Sequence, residues 1–94
     1  MDGQQLLIAR GHQDDVGESI VCAGISAVMW ALAIAAREEE SNANLWTGDG
    51  EIRILAPRGE RLDAMFDMAV TGLEAMRDKY QGRIAIDKKV RTRV

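Results

Sequence analysis

Residues 11–26 read Gly11-His12-Gln13-Asp14-Asp15-Val16-Gly17-Glu18-Ser19-Ile20-Val21-Cys22-Ala23-Gly24-Ile25-Ser26. This passage leads from the end of an alternating strand into an apolar helix, and it holds the only His and the only Cys of the chain. Ser19 is the last good N-cap before the apolar run, which puts Cys22 at the third helical position. A thiol there lies among backbone N–H groups without intrahelical partners, at the positive end of the helix dipole, and both favour the thiolate. The segment from Gly11 to Cys22, with glycines at both 11 and 17, is short and flexible enough to bring the His12 imidazole back to the sulfur.

Upstream, Gln4 to Arg10 alternates as a strand, with Leu6 and Ile8 on one side and Leu7 and Ala9 on the other, so both faces are expected to be covered. Downstream, Ser19 to about Arg37 is apolar on every side, the pattern of a helix packed on more than one face. The run Glu38-Glu39-Glu40 opposes the dipole at a helix C-terminus and is expected to fray into solvent. Ala43 to Thr47 and Glu51 to Leu55 flank Gly48-Asp49-Gly50 and form a β-hairpin. Leu62, Met65, Phe66, Ala69, Leu73, Met76 and Tyr80 then recur at spacings of three and four, one face of an amphipathic helix that Gly82 ends. Gly72 in that helix is either a close-packing point or a weak spot costing about 1 kcal/mol relative to Ala. Arg83 to Asp87 is the last strand. The order strand, helix, hairpin, helix, strand gives an α+β domain in which a mostly antiparallel sheet packs against two helices. Leu7 and Ala9 are expected to pair with Ile84 and Ile86 at the middle of that sheet.

The 94 residues make one domain, 1–94, of ordinary globular composition with 47% apolar and 29% charged residues. One Phe, one Tyr and two Trp leave the core to aliphatic side chains and Met. So thin a core favours burial against a second copy. A net charge of −3 gives no electrostatic reason to bind nucleic acid. Lys88, Lys89, Arg91 and Arg93 make a basic tail, read as solvated. Ile20 to Ala36 carries no charge but is short, rich in Ala, Gly and Ser, and flanked by acidic residues, so a buried helix is expected and not a membrane span. A single Cys makes no internal disulfide, and no basic region opens the sequence, which places the chain in a reducing cytoplasm. One His beside Asp14 and Asp15 supplies too few strong ligands for a metal, and no metal or organic cofactor is expected.

Gly11-His12, then Gly17, then Ile20-Val21-Cys22-Ala23 with Ser26 four residues later, resemble the ribosomal-processing cysteine protease family called Prp. The order of elements that follows is also similar, so the resemblance spans nearly the whole chain. It implies a homodimeric Cys–His endopeptidase. The family's usual substrate is the N-terminal extension of a large-subunit ribosomal protein, and some members are associated with phage capsid maturation. Carried over, Cys22 is the nucleophile and His12 the base, with Gly11, Gly17, Ser19 and Ser26 supporting the site. Asp14, Asp15 or Glu18 is available to orient the imidazole, and a dyad without a third member is also open.

Three departures from the family pattern stand out. Only ten residues precede Gly11, so a first strand usual in the family is missing or supplied by a partner. The His-to-Cys loop is about two residues shorter than usual and lacks an aromatic often found there, which bears on the substrate pocket. Ser19 stands where Asp is common: it keeps the capping role but removes a charge that would stabilise an imidazolium, so the Cys22–His12 ion pair is weaker.

Each residue also has a plainer reading. A lone Cys in an apolar helix is commonly a small core residue, Gly11 and Gly17 serve turns, and Ser26 bonds the carbonyl four residues back. Trp30, Trp46, Met65, Phe66, Met68 and Met76 are core or dimer surface. On that reading the chain is a catalytically silent dimeric binding or assembly module that keeps the fold.

Overall fold

Strict alternation in residues 4 to 11 puts Leu7 and Ala9 on one face, both fully buried, and makes this segment the strand on which the sheet is built. The computed structural model describes residues 3–11, 18–48, 50–79 and 84–91, with the side chains of 18–22 and 91 excepted. Its elements are β1 (Gln4–Gly11), α1 (Glu18–Glu39), β2 (Asn44–Gly48), β3 (Glu51–Pro57), α2 (Glu60–Lys79) and β4 (Ile84–Arg91). The strands form one antiparallel sheet in the order β2-β3-β1-β4, with both helices on the face that carries Leu7 and Ala9. The expected α+β arrangement and element order hold; Tyr80 and Gly82 lie outside the described residues.

β1 and β4 are neighbours as expected, and Ala9 is opposite Ile86, but Leu7 is opposite Lys88 and Ile84 faces Gly11. They are not the middle of the sheet, however, because β3 flanks β1 on its other side and β4 is an edge. The reason is in the side chains. β3 buries Ile52, Ile54 and Ala56 in succession, whereas β4 continues into Lys88 and Lys89, charges that suit an edge. The basic stretch read as a solvated tail is therefore strand as far as Arg91, and Lys88 Nζ pairs with Asp67 of α2 at 2.7 Å.

Two expectations about coverage are corrected. Only the face of β1 that carries Leu7 and Ala9 lies under helices. Among the described residues no element covers the opposite face of the sheet, where Leu6 is half-buried and Ile8 is buried between its strand neighbours Arg53 and Asp87. Likewise α1 packs inward through Ile25, Met29, Leu32, Ala33 and Ala36, but leaves Trp30 (46%) and Ile34 (58%) exposed on its outer side. The helix is apolar all round, yet the chain covers only one side of it.

In α2 the expected stripe is buried at Leu62, Phe66, Ala69 and Leu73. A Cβ built on Gly72 would meet only Val28 Cγ2, at 3.9 Å. Gly72 is thus no close-packing point, and its cost of about 1 kcal/mol relative to Ala stands uncompensated. At the end of α1, helix continues through Glu39, whose carboxylate meets Arg61 Nε at 3.2 Å. The pair is exposed and worth about 0–1 kcal/mol.

A half-buried latch ties the start of α2 to the sheet. Asp63 accepts from Arg58 Nε at 3.0 Å and Nη2 at 2.8 Å, from Gln5 Nε2 at 2.8 Å, and from the Gly59 N–H at 3.3 Å. Gln5 is 1% exposed, so the amide that reaches Asp63 has no water to fall back on. The Arg58 guanidinium, aided by the Gly59 N–H and the Gln5 amide, lowers the Asp63 pKa from 3.8 to about 2. A depressed carboxyl pKa stabilises the fold above its unfolded value, and that contribution is lost as pH falls from about 4 towards 2. Thermal unfolding of Asp63→Asn should show a loss of about 1–2 kcal/mol at neutral pH. The gap from the native protein should close on acidification through that window; a gap that persists unchanged at the acid end would show that the charge is not its source.

Candidate functional site

β1 delivers its last residue, Gly11, to the turn of the β2–β3 hairpin. The Gly11 N–H donates to the Gly50 carbonyl at 2.9 Å. Gly50 has φ +69°, and a Cβ there would come within 3.2 Å of the Gly11 carbonyl oxygen. Both the left-handed backbone and the close approach call for glycine, which is how the Gly48-Asp49-Gly50 sequence fixes this contact.

Beside it opens a cleft of about 330 Å³ between the end of β1, the early part of α1 and the hairpin, lined among others by Gly11, Ser26, Trp30, Thr47, Gly50 and Glu51. Ile25, buried at 4% exposure, anchors this turn of α1 in the core, and half-buried Ser26 beside it offers a hydroxyl to an otherwise largely apolar wall. Glu51 is not a free base. Arg53 Nε holds Oε2 at 2.5 Å and Arg10 holds Oε1, and these hydrogen bonds, Arg53's first, lower the carboxyl's pKa.

Of the residues singled out in the sequence, Gly11 and Ser26 lie on opposite walls of this cleft. Ser19 and Cys22 belong to α1, with side chains outside those described, while His12 and Gly17, and Asp14 and Asp15 with them, lie outside the described residues. α1 begins at Glu18, one residue before the expected cap. Ser19 is then the second helical residue and Cys22 the fifth, a shift within the usual spread of helix ends. The N–H groups left without intrahelical acceptors are accordingly those of Glu18 to Ile20. Among the described residues no group of three His, Cys, Asp or Glu side chains is placed to hold a metal ion, and no described helix is long and apolar enough to cross a membrane.

Sequence reasoning missed the hairpin's contribution. Trp30, Thr47, Gly50 and Glu51 become cleft walls only because β3 pairs with β1, which brings the hairpin turn beside Gly11. The turn glycines were visible; their neighbour was not.

No protein-family model matches the chain, and no curated protein matches it. Among solved structures it is similar to a de novo designed protein with a ferredoxin fold, known from solution NMR, at 17% identity with a TM-score of 0.52 over 100% of this chain and 88% of the design. A domain of unknown function, DUF77, from Bacillus cereus superposes with a TM-score of 0.48 at 15% identity, over 98% of this chain and 77% of that one. The first likeness shows the ferredoxin-like fold and nothing of activity.

Proposed function

We propose that the chain is a cysteine endopeptidase in which Cys22 is the nucleophile and His12 its base, acting on a protein or peptide such as an N-terminal extension. One observation carries the reading. A single cleft has on one wall Gly11, the residue before His12, and on the other Ser26, one helical turn after Cys22, so the sequence neighbours of both reacting residues line the same hollow.

In this mechanism His12 takes the proton of Cys22, and the thiolate adds to a peptide carbonyl, forming the C–S bond. The N–H groups of the first turn of α1, Glu18 to Ile20, stabilise the oxyanion where its charge develops. The C–N bond breaks as His12 returns the proton to the leaving amine. Water, deprotonated by His12, then hydrolyses the thioester and restores the thiol. The chemistry uses no metal or organic cofactor, and it suits a reducing cytoplasm, where a lone cysteine stays a thiol. By the resemblance to Prp, the substrate is the extension of a large-subunit ribosomal protein or a phage-encoded counterpart, and Gly17 and Ser19 support the loop and helix start around the pair.

Iodoacetamide labelling of Cys22 across about pH 5 to 9 tests the reading, in the native chain and in His12→Ala. Rapid labelling with a depressed thiol pKa that rises in the variant is the expected result. Sluggish labelling indifferent to His12 would overturn it.

A second reading, a dimeric assembly module without activity, is favoured by a different surface. Between the helices runs a groove of about 540 Å³, lined by Ala27, Ala31, Ala35, Met65, Met68 and Gly72 among others and almost wholly apolar. Met68, one of its lining residues, is 73% exposed. Such an apolar surface suits a two-fold contact with a second copy. Homodimerisation belongs to both readings, and it is the sluggish-labelling outcome, together with a dimer mass in solution, that would select this one.

A further inference from the structure

We propose that the outer edge of β2 is where the substrate docks: an extended peptide adds to it as a fifth strand and passes from there into the cleft. The inference rests on the protease reading for what the peptide is, but on the sheet alone for where it binds.

The ladder parity shows which groups have no strand partner among the described residues. Ala9 pairs with Ile52, and the Gly11 N–H to Gly50 carbonyl bond continues that ladder two residues further on each strand. Hydrogen-bonded pairs alternate along antiparallel strands, so the even-numbered residues of β3 bond to β1 and the odd ones, Glu51, Arg53 and Leu55, to β2. Their partners are Gly48, Trp46 and Asn44. What remains on β2 is Leu45 and Thr47, whose N–H and C=O groups face outward at the end of the sheet.

The two edges of the sheet differ in protection. Proteins blunt exposed edges with charge, proline or a bulge. β4 carries Asp87, Lys88, Lys89 and Arg91; β2, Asn44-Leu45-Trp46-Thr47-Gly48, carries no charge and no proline. The unguarded edge is also the one that meets the cleft, which Thr47 and Gly48 line together with Gly11 and Ser26. A peptide bonded to Leu45 and Thr47 therefore runs along the strand whose end, at Thr47 and Gly48, lines the cleft. Its alternate side chains fall on the two faces of the sheet, beside half-exposed Trp46 on the open face and half-exposed Trp30 on the helix face. Main-chain bonds supply affinity and these two aromatics supply selection, the division of labour seen in strand addition generally.

The test is amide exchange of Leu45 and Thr47 by NMR in the full chain, with acetyl-Val-Thr-Val-Thr-Val-amide as probe. Saturating peptide is expected to slow exchange at both positions by about 10-fold or more. N-methylating one alternating set of peptide nitrogens should abolish the effect, and methylating the other set should leave it, because only one set faces the edge. Thr47→Pro should lose the peptide and keep the hairpin, since its N–H points away from β3. Three results would overturn the proposal: no protection at millimolar peptide, protection confined to the interhelical groove or to β4, or protection of Leu45 and Thr47 by a second copy without peptide. The readout needs no thiolate, so failure of Cys22 labelling overturns the protease reading separately from this one.

Discussion

Replacing Phe66 by alanine is expected to remove most of the stability of the fold. Phe66 is the largest fully buried side chain among the described residues, on the inward stripe of α2, in one cluster with Leu7, Met29, Ile54 and Leu73. It is also the only Phe in a core otherwise built of aliphatic side chains and Met, so no neighbour of similar bulk can swing into the space. Truncating such a residue costs about 3–5 kcal/mol through lost transfer energy and the cavity left behind. Against a total of roughly 5–14 kcal/mol for a chain of this length, that is a large share. Thermal denaturation should register a fall of about 15–30 °C. Met68→Ala, on the same helix but 73% exposed, should change stability by less than about 0.5 kcal/mol. Equal losses in the two variants would mean that α2 does not present the face described.

The second large effect concerns the chemistry. Cys22→Ala is expected to abolish peptide hydrolysis, by about 10³-fold or more, because no other thiol exists in the chain to replace the nucleophile. His12→Ala should cost a comparable factor, and the double variant should be no worse than either single one. Groups that act as a unit are non-additive in this way, whereas two independent structural contributions would multiply. Turnover of a peptide substrate by the purified variants reads the difference. Residual activity in Cys22→Ala close to the native level would leave the cleft without its proposed nucleophile.

How legible this was depended on range. Element types came through wherever periodicity was local and strong: the alternation of Leu7 and Ala9, the three-four spacing of Leu62, Phe66, Ala69 and Leu73, and the glycine turn at 48–50. The sequence ends the last strand at Asp87 because Lys88 and Lys89 look like a solvated end, although Lys88 lies on the helix face, opposite Leu7, and reaches Asp67. Strand order was not legible, since nothing local to β1 says that β3 takes one flank and leaves β4 at the edge. The same gap hid the site's second wall. Gly11 and Ser26 were found by their place around His12 and Cys22, while Trp30, Thr47 and Glu51 owe their role to a pairing between strands some forty residues apart. Nor does an apolar run such as Ile20 to Ala36 say which of its sides the chain itself will cover.

The central place of β1 also sets a timetable. β1, made well before β4, is flanked by it on one side, with Gln4 opposite Arg91 and Gly11 opposite Ile84. For most of synthesis its backbone groups on that side have no partner, and the loop between them must close over nearly the whole chain. Such non-local closure slows folding and leaves an edge open in the interim. Gly11, held on its other flank by the Gly50 carbonyl, is therefore tied on one side only until β4 arrives to face it with Ile84.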